Sequence, residues 1–109
     1  RVLFRSEPAP DWPQILHLYT ALLPLEPTPV VRINHAVAMA ENGLLAAALA
    51  TLNELHDALA DFQPFHSSRA AVLSMAGQID AARRAYDQAI ALTTHESDRR
   101  FLVARAGRL

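Results

Sequence analysis

A chain of 109 residues with ten Arg, no Lys and eleven acidic side chains has a formal net charge of −1. That is enough for one small domain, and the charge is too balanced for a nucleic-acid surface made by this segment alone. There is no Cys, which excludes a disulfide framework and a thiolate metal site, and no apolar run approaches the roughly 18 residues a membrane span needs.

The first ten residues stand apart. Arg1-Val2-Leu3-Phe4-Arg5-Ser6 reads as a translated sequencing adapter, which would make the chain a fragment of a longer gene. Glu7-Pro8-Ala9-Pro10 reads as a linker by its prolines. No apolar stretch follows the early Arg residues, so no signal peptide is expected and the cytoplasm is the expected compartment. Residues 11–109 are read as a single domain.

From there the apolar residues recur at helical spacing. Asp11 is a good N-cap and Pro13 suits a first turn, so Trp12, Ile15, Leu16, Tyr19, Leu22 and Leu23 define helix 1 over 12–23. Thr28 and Pro29 open helix 2, whose stripe is Val30, Ile33, Ala36, Val37 and Ala40, and Asn42-Gly43 ends it. Helix 3 spans about 45–60, with Leu45, Ala48, Leu49, Leu52, Leu55 and Leu59 inward. Helix 4 spans about 65–75 and ends at Ala76-Gly77. Helix 5 covers about 79–92, with Ile79, Ala82, Tyr86, Ala89 and Ile90 inward. Thr93-Thr94-His95-Glu96 offers a capping box for helix 6, over about 96–106, anchored by Phe101 and Leu102. The short connections make neighbours antiparallel, and no window alternates with the period of a strand.

An internal repeat organises these helices. At an offset of 34 residues Gly43 meets Gly77, Ala36 meets Ala70, Ala48 meets Ala82, Leu52 meets Tyr86 and Met39 meets Leu73. The Gly match carries most weight, because the chain has only three Gly. The small residues let the two helices of a hairpin approach closely, Leu52 or Tyr86 fills the gap to the next hairpin, and the glycines make the turn. Ala48-x-x-x-Leu52 and Ala82-x-x-x-Tyr86 resemble the tetratricopeptide repeat, whose period this is. The resemblance implies an all-α, right-handed solenoid of stacked antiparallel hairpins, about six helices in all. The copies are degenerate: Arg32 and His66 stand where the family has an early Trp, and Ala60 and Thr94 where it has a closing Pro. Helix 1, with Tyr19-Thr20-Ala21-Leu22 ahead of Pro27, resembles the second half of an earlier repeat, and the polar helix 6 would be a terminal cap.

A wider resemblance covers residues 11–105. Asp11-Trp12-Pro13-Gln14-Ile15 through Tyr19, Pro29-Val30-Val31-Arg32-Ile33-Asn34-His35-Ala36-Val37-Ala38, His66-x-x-Arg69-Ala70-x-x-Leu73, Ala82-x-x-x-Tyr86-x-x-Ala89-x-x-Leu92 and Glu96-x-x-Arg99-Arg100-Phe101-Leu102 follow one another in the chain. In order and spacing they resemble the tetratricopeptide-like C-terminal extension of extracytoplasmic-function RNA polymerase sigma factors. The resemblance implies a regulatory, protein-interacting tail whose partners are the sigma-factor core domains of the same polypeptide, RNA polymerase, or both. It implies no nucleic-acid contact from this segment, no membrane, no small-molecule substrate and no cofactor. The alternative is a peptide-binding scaffold unrelated to sigma factors.

Nothing in the sequence assembles a catalytic or metal site. The five His (His17, His35, His56, His66 and His95) form no ligand motif and read as structural or surface residues. Ser67 and Ser68 beside His66 lie about 100° apart on a helix and do not face each other, so capping explains them better than nucleophilic catalysis. Arg32, Asn34 and Arg69 lie on the first helices of the hairpins and are the expected residues of a polar interaction groove, unless Asn34 and Arg69 serve as bridges between hairpins. Arg99 and Arg100 are expected to pair with Glu96, Asp80 or Asp87. Trp12, Tyr19, Phe62, Phe65, Tyr86 and Phe101 are expected to pack inside; an aromatic left exposed in the groove would instead be a binding anchor.

Overall fold

A computed structural model describes residues 9–109, so the adapter reading of the first six residues lies outside the described part. The described chain is six helices: α1 (Trp12–Leu22), α2 (Pro29–Glu41), α3 (Leu45–Leu55), α4 (Gln63–Met75), α5 (Ile79–Leu92) and α6 (Glu96–Ala106), with no strand among the described residues.

Local chemistry sets most of the boundaries. The Gln14 N–H donates to Asp11 Oδ1 at 3.0 Å, which caps α1, and the Val31 N–H donates to Thr28 Oγ1 at 3.2 Å, which caps α2. A Pro sits in the first turn of each, where its missing N–H costs nothing. Helices α2 and α4 end identically. Gly43 has φ +86° and Gly77 φ +77°. The N–H groups of Leu44 and Gln78 donate back to Met39 O and Leu73 O, each at 2.9 Å. Gly43 and Gly77 themselves donate to Ala40 O and Ser74 O, at 2.9 and 3.0 Å. This pair of bonds is the Schellman closure, and it needs a left-handed residue at that position.

Three details differ from the sequence expectation. Helix α3 stops at Leu55, and residues 56–61 run as hydrogen-bonded turns. Helix α4 begins two residues early, at Gln63, because Pro64 is accommodated in its first turn. The capping box does not form: Thr93 Oγ1 donates back to Ala89 O at 2.9 Å, and α6 starts at Glu96 itself with no side-chain cap.

The helices pack as a chain of neighbours, with α1 on α2, α2 on α3, α3 on α4, α4 on α5 and α5 on α6, while α2 also meets α4. Two apolar clusters result. One joins Ile33, Ala36, Met39 and Ala40 of α2 to Ala48, Leu52 and Leu55 of α3 and to Phe65 and Val72 of α4. The other joins Ala70 and Leu73 of α4 to Ala82, Ala85, Tyr86 and Ala89 of α5 and Leu102 of α6. Helix α4 feeds both clusters, from adjacent residues Val72 and Leu73. The small Ala36, Ala48, Ala70 and Ala82 are each fully buried where helices cross.

The inward stripes shift in places. Val30 and Ile79 are exposed rather than inward, while Ala38, Met39 and Ala85 are buried. Polar contacts finish the seams. Asn42 Nδ2 donates to Trp12 O at 3.0 Å, tying the start of α1 to the end of α2. Arg99 donates from Nη2 to Thr93 O at 3.1 Å and from Nη1 to Ile90 O at 3.5 Å, satisfying carbonyls at the end of α5. As expected, Arg99 also lies 3.7 Å from Glu96.

Candidate interaction groove

The hairpin arrangement leaves a recess of about 200 Å³ among α2, α4, α5 and α6. Val37 of α2, Ser67, Ser68 and Ala71 of α4, Tyr86 of α5 and Phe101, Leu102 and Arg105 of α6 line it. The repeat explains the choice. Val37, Ala71 and Arg105 are successive positions one repeat length apart, and so are Ser67 and Phe101. Equivalent positions on successive first helices face the same way, so a row of them forms one wall.

The groove is asymmetric in chemistry. On the α4 side the residues are small and half-buried, so a visiting chain can approach closely. On the α6 side Phe101 is 60% exposed, and the Arg105 guanidinium lies 5.6 Å from its ring centroid. This is within cation–π range and holds both side chains at the rim. Phe101 was expected inside; it lies out because Leu102 takes the buried position on α6, leaving its neighbour about 100° away around the helix. Phe62 is likewise exposed, whereas Phe65 and Tyr86 are buried and Trp12 and Tyr19 half-buried.

The residues expected in a polar groove are placed otherwise. Arg32 Nη2 donates to Glu54 Oε1 of α3 at 2.9 Å. Asn34 Nδ2 donates to the Tyr19 hydroxyl of α1 at 3.2 Å. Arg69 Nε donates to Asn53 Oδ1 of α3 at 3.2 Å. None of the three lines the recess. Residues two apart on a helix sit about 200° around the axis, so Arg32 and Asn34 reach opposite neighbours.

The remaining candidates resolve simply. Ser67 does not cap α4, whose N-cap is Phe62; its hydroxyl donates to Pro64 O at 3.2 Å. His66 is 1% exposed, with Nε2 2.6 Å from Ala60 O. A carbonyl only accepts, so Nε2 carries the proton, and the ring fastens the α3–α4 turn. Its ring stacks edge-on against Phe65 and His56, with centroids 5.1 and 6.0 Å away. His35 Nε2 lies 3.1 Å from Thr20 Oγ1.

Among the described residues no group of three or more His, Asp or Glu could hold a metal ion, and no helix is long and apolar enough to cross a membrane. The recess is below the roughly 300–1,000 Å³ usual for small-molecule sites. It fits a side chain or a short backbone segment better than a cofactor.

The signal that could have found the groove was already in the sequence. Once the repeat length was fixed, the rows 37–71–105 and 67–101 could have been drawn; weighting polar residues on the first helices pointed elsewhere.

Comparison with known proteins agrees with this geometry. Residues 29–54 and 63–88 each match the tetratricopeptide repeat family, and the two matched stretches are offset by 34 residues. The chain is 39% identical over 92 residues to an uncharacterized protein of Rhizobium meliloti (strain 1021), a match covering 84% of this chain and 22% of that protein. The chain thus spans about a fifth of the curated relative it matches. No solved structure matches it.

Proposed function

From the premise that this chain carries tandem tetratricopeptide repeats, we propose that it is the regulatory, protein-binding tail of an alternative RNA polymerase sigma factor. Repeats of this type are typically non-catalytic protein-interaction scaffolds. The observation that carries the interaction reading is the groove: small residues on α4 facing an exposed Phe101 under Arg105. Such a site presents an apolar anchor and a cation to a passing chain.

The sigma-factor part rests on the ordered motifs along residues 11–105, not on the family match. It is compatible with the relative, in which the matched region is a minor part of a longer polypeptide. On this reading the tail works in the cytoplasm. It docks, through the groove, on the sigma core of its own polypeptide or on polymerase, and so biases the complex toward promoter opening. Arg32, Asn34 and Arg69 serve it indirectly, by fixing α2 and α4 against α1 and α3.

The test is deletion of residues 11–109 from the complete protein, followed by promoter-dependent transcription with purified polymerase. A loss of output that the separately added tail restores is expected. Unchanged output would remove the regulatory reading and leave a scaffold unrelated to sigma factors.

A further inference from the structure

We propose that the outer face of α1 is a docking surface for one further amphipathic helix, supplied by the same polypeptide upstream of α1. Ile15, Leu18, Tyr19 and Leu22 line an almost wholly apolar recess of about 380 Å³ on that face. Helix α1 packs mainly on α2 and, unlike every other described helix, has no buried residue.

The repeat register says what is missing. Leu18, Leu52 and Tyr86 are successive positions one repeat length apart. Leu52 is 0% exposed and Tyr86 3%, because each second helix is enclosed by the first helix of its own hairpin and that of the next: Leu52 clusters with residues of α2 and α4, and Tyr86 with residues of α4 and α6, whereas α1 has only the next first helix, α2. Leu18 is 57% exposed. Helix α1 therefore occupies the place of a second helix, and the helix that would precede it is the natural occupant of its open face.

The covering helices already in the fold define the chemistry of the occupant. Helices α2 and α4 each bring a fully buried Ala, Ala36 and Ala70, and a larger apolar residue three positions on, Met39 and Leu73. The docking helix is thus antiparallel to α1, with a small residue at the crossing and an apolar residue one turn later. In the relative the matched region is 22% of the protein, so further chain flanks it there and could supply such a helix. A second copy of this segment is the competing occupant.

Leu18→Glu separates these cases when made both in residues 9–109 and in the complete native polypeptide, with Leu18→Ala as a milder companion. In the isolated segment Leu18 is exposed, so neither substitution shifts Tm by more than about 2 °C and the segment sediments as a monomer. In the complete polypeptide Leu18→Glu lowers the Tm of this domain by at least about 5 °C and Leu18→Ala by less, and backbone amides of α1 become protected from exchange relative to the isolated segment. Equal Tm changes in both contexts, or equal exchange of α1 in both, would overturn the proposal. So would an isolated segment that sediments as a dimer and is made monomeric by Leu18→Glu, which would assign the face to a second copy. The groove plays no part in this test, so its result stands apart from that of the proposed function.

Discussion

At the scale of single residues, the positions most legible in the sequence were those where the backbone leaves little choice. Gly43 and Gly77 hold φ of +86° and +77°, and a Cβ built on either meets nothing within 4 Å. Their need for Gly is thus conformational and not steric. Gly77→Ala should destabilise the domain by about 1–2 kcal/mol in urea unfolding, and Gly77→Asn by less, since Asn tolerates the left-handed region. Equal losses for both would point to a packing role instead. Phe101 was not legible, because an apolar residue type does not say which side of a helix it faces. Helix α6 has Phe101, Leu102 and Val103 in a row, and only Leu102 is buried. Arg32, Asn34 and Arg69 bond to Glu54, Tyr19 and Asn53 on neighbouring helices, and for Asn34 and Arg69 this is the bridging between hairpins that stood as the alternative to a groove role. The Arg32–Glu54 pair, with side chains 34% and 67% exposed, contributes little, about 0–1 kcal/mol.

At the scale of elements, the 34-residue offset made hairpins α2–α3 and α4–α5 readable before their packing was known. Their ends were readable where a cap was chemical, as at Asp11 and Thr28, and not where a helix stops without one, as α3 does at Leu55. The structure adds that α4 is shared. Phe65 and Val72 belong to one apolar cluster, Ala70 and Leu73 to the other. The two hairpins should therefore unfold together. Phe65→Ala removes a ring that is 0% exposed and should cost about 3–5 kcal/mol. The loss should appear in one transition that exposes amides of α3 and α5 alike; two separate transitions would show that α4 does not couple the hairpins.

At the scale of the whole molecule, the helices form a short stack rather than a ball. The radius of gyration is 14.6 Å and the extents are 43 × 35 × 27 Å, against roughly 13 Å expected for a compact domain of this length. Such an elongated stack leaves a lateral groove and exposed ends. The groove is where successive first helices align Val37, Ala71 and Arg105; the open end is the apolar face of α1. On the proposed sigma-factor reading, the most direct measurement is promoter-dependent transcription by the complete protein bearing Phe101→Ala together with Arg105→Glu. Both side chains sit at the rim, so the domain should keep its Tm within about 2 °C. Output should fall at least about tenfold, as expected when an aromatic anchor and its neighbouring cation are lost from an interface. A stable double variant with wild-type output would contradict the claim that this groove is the working surface of the protein.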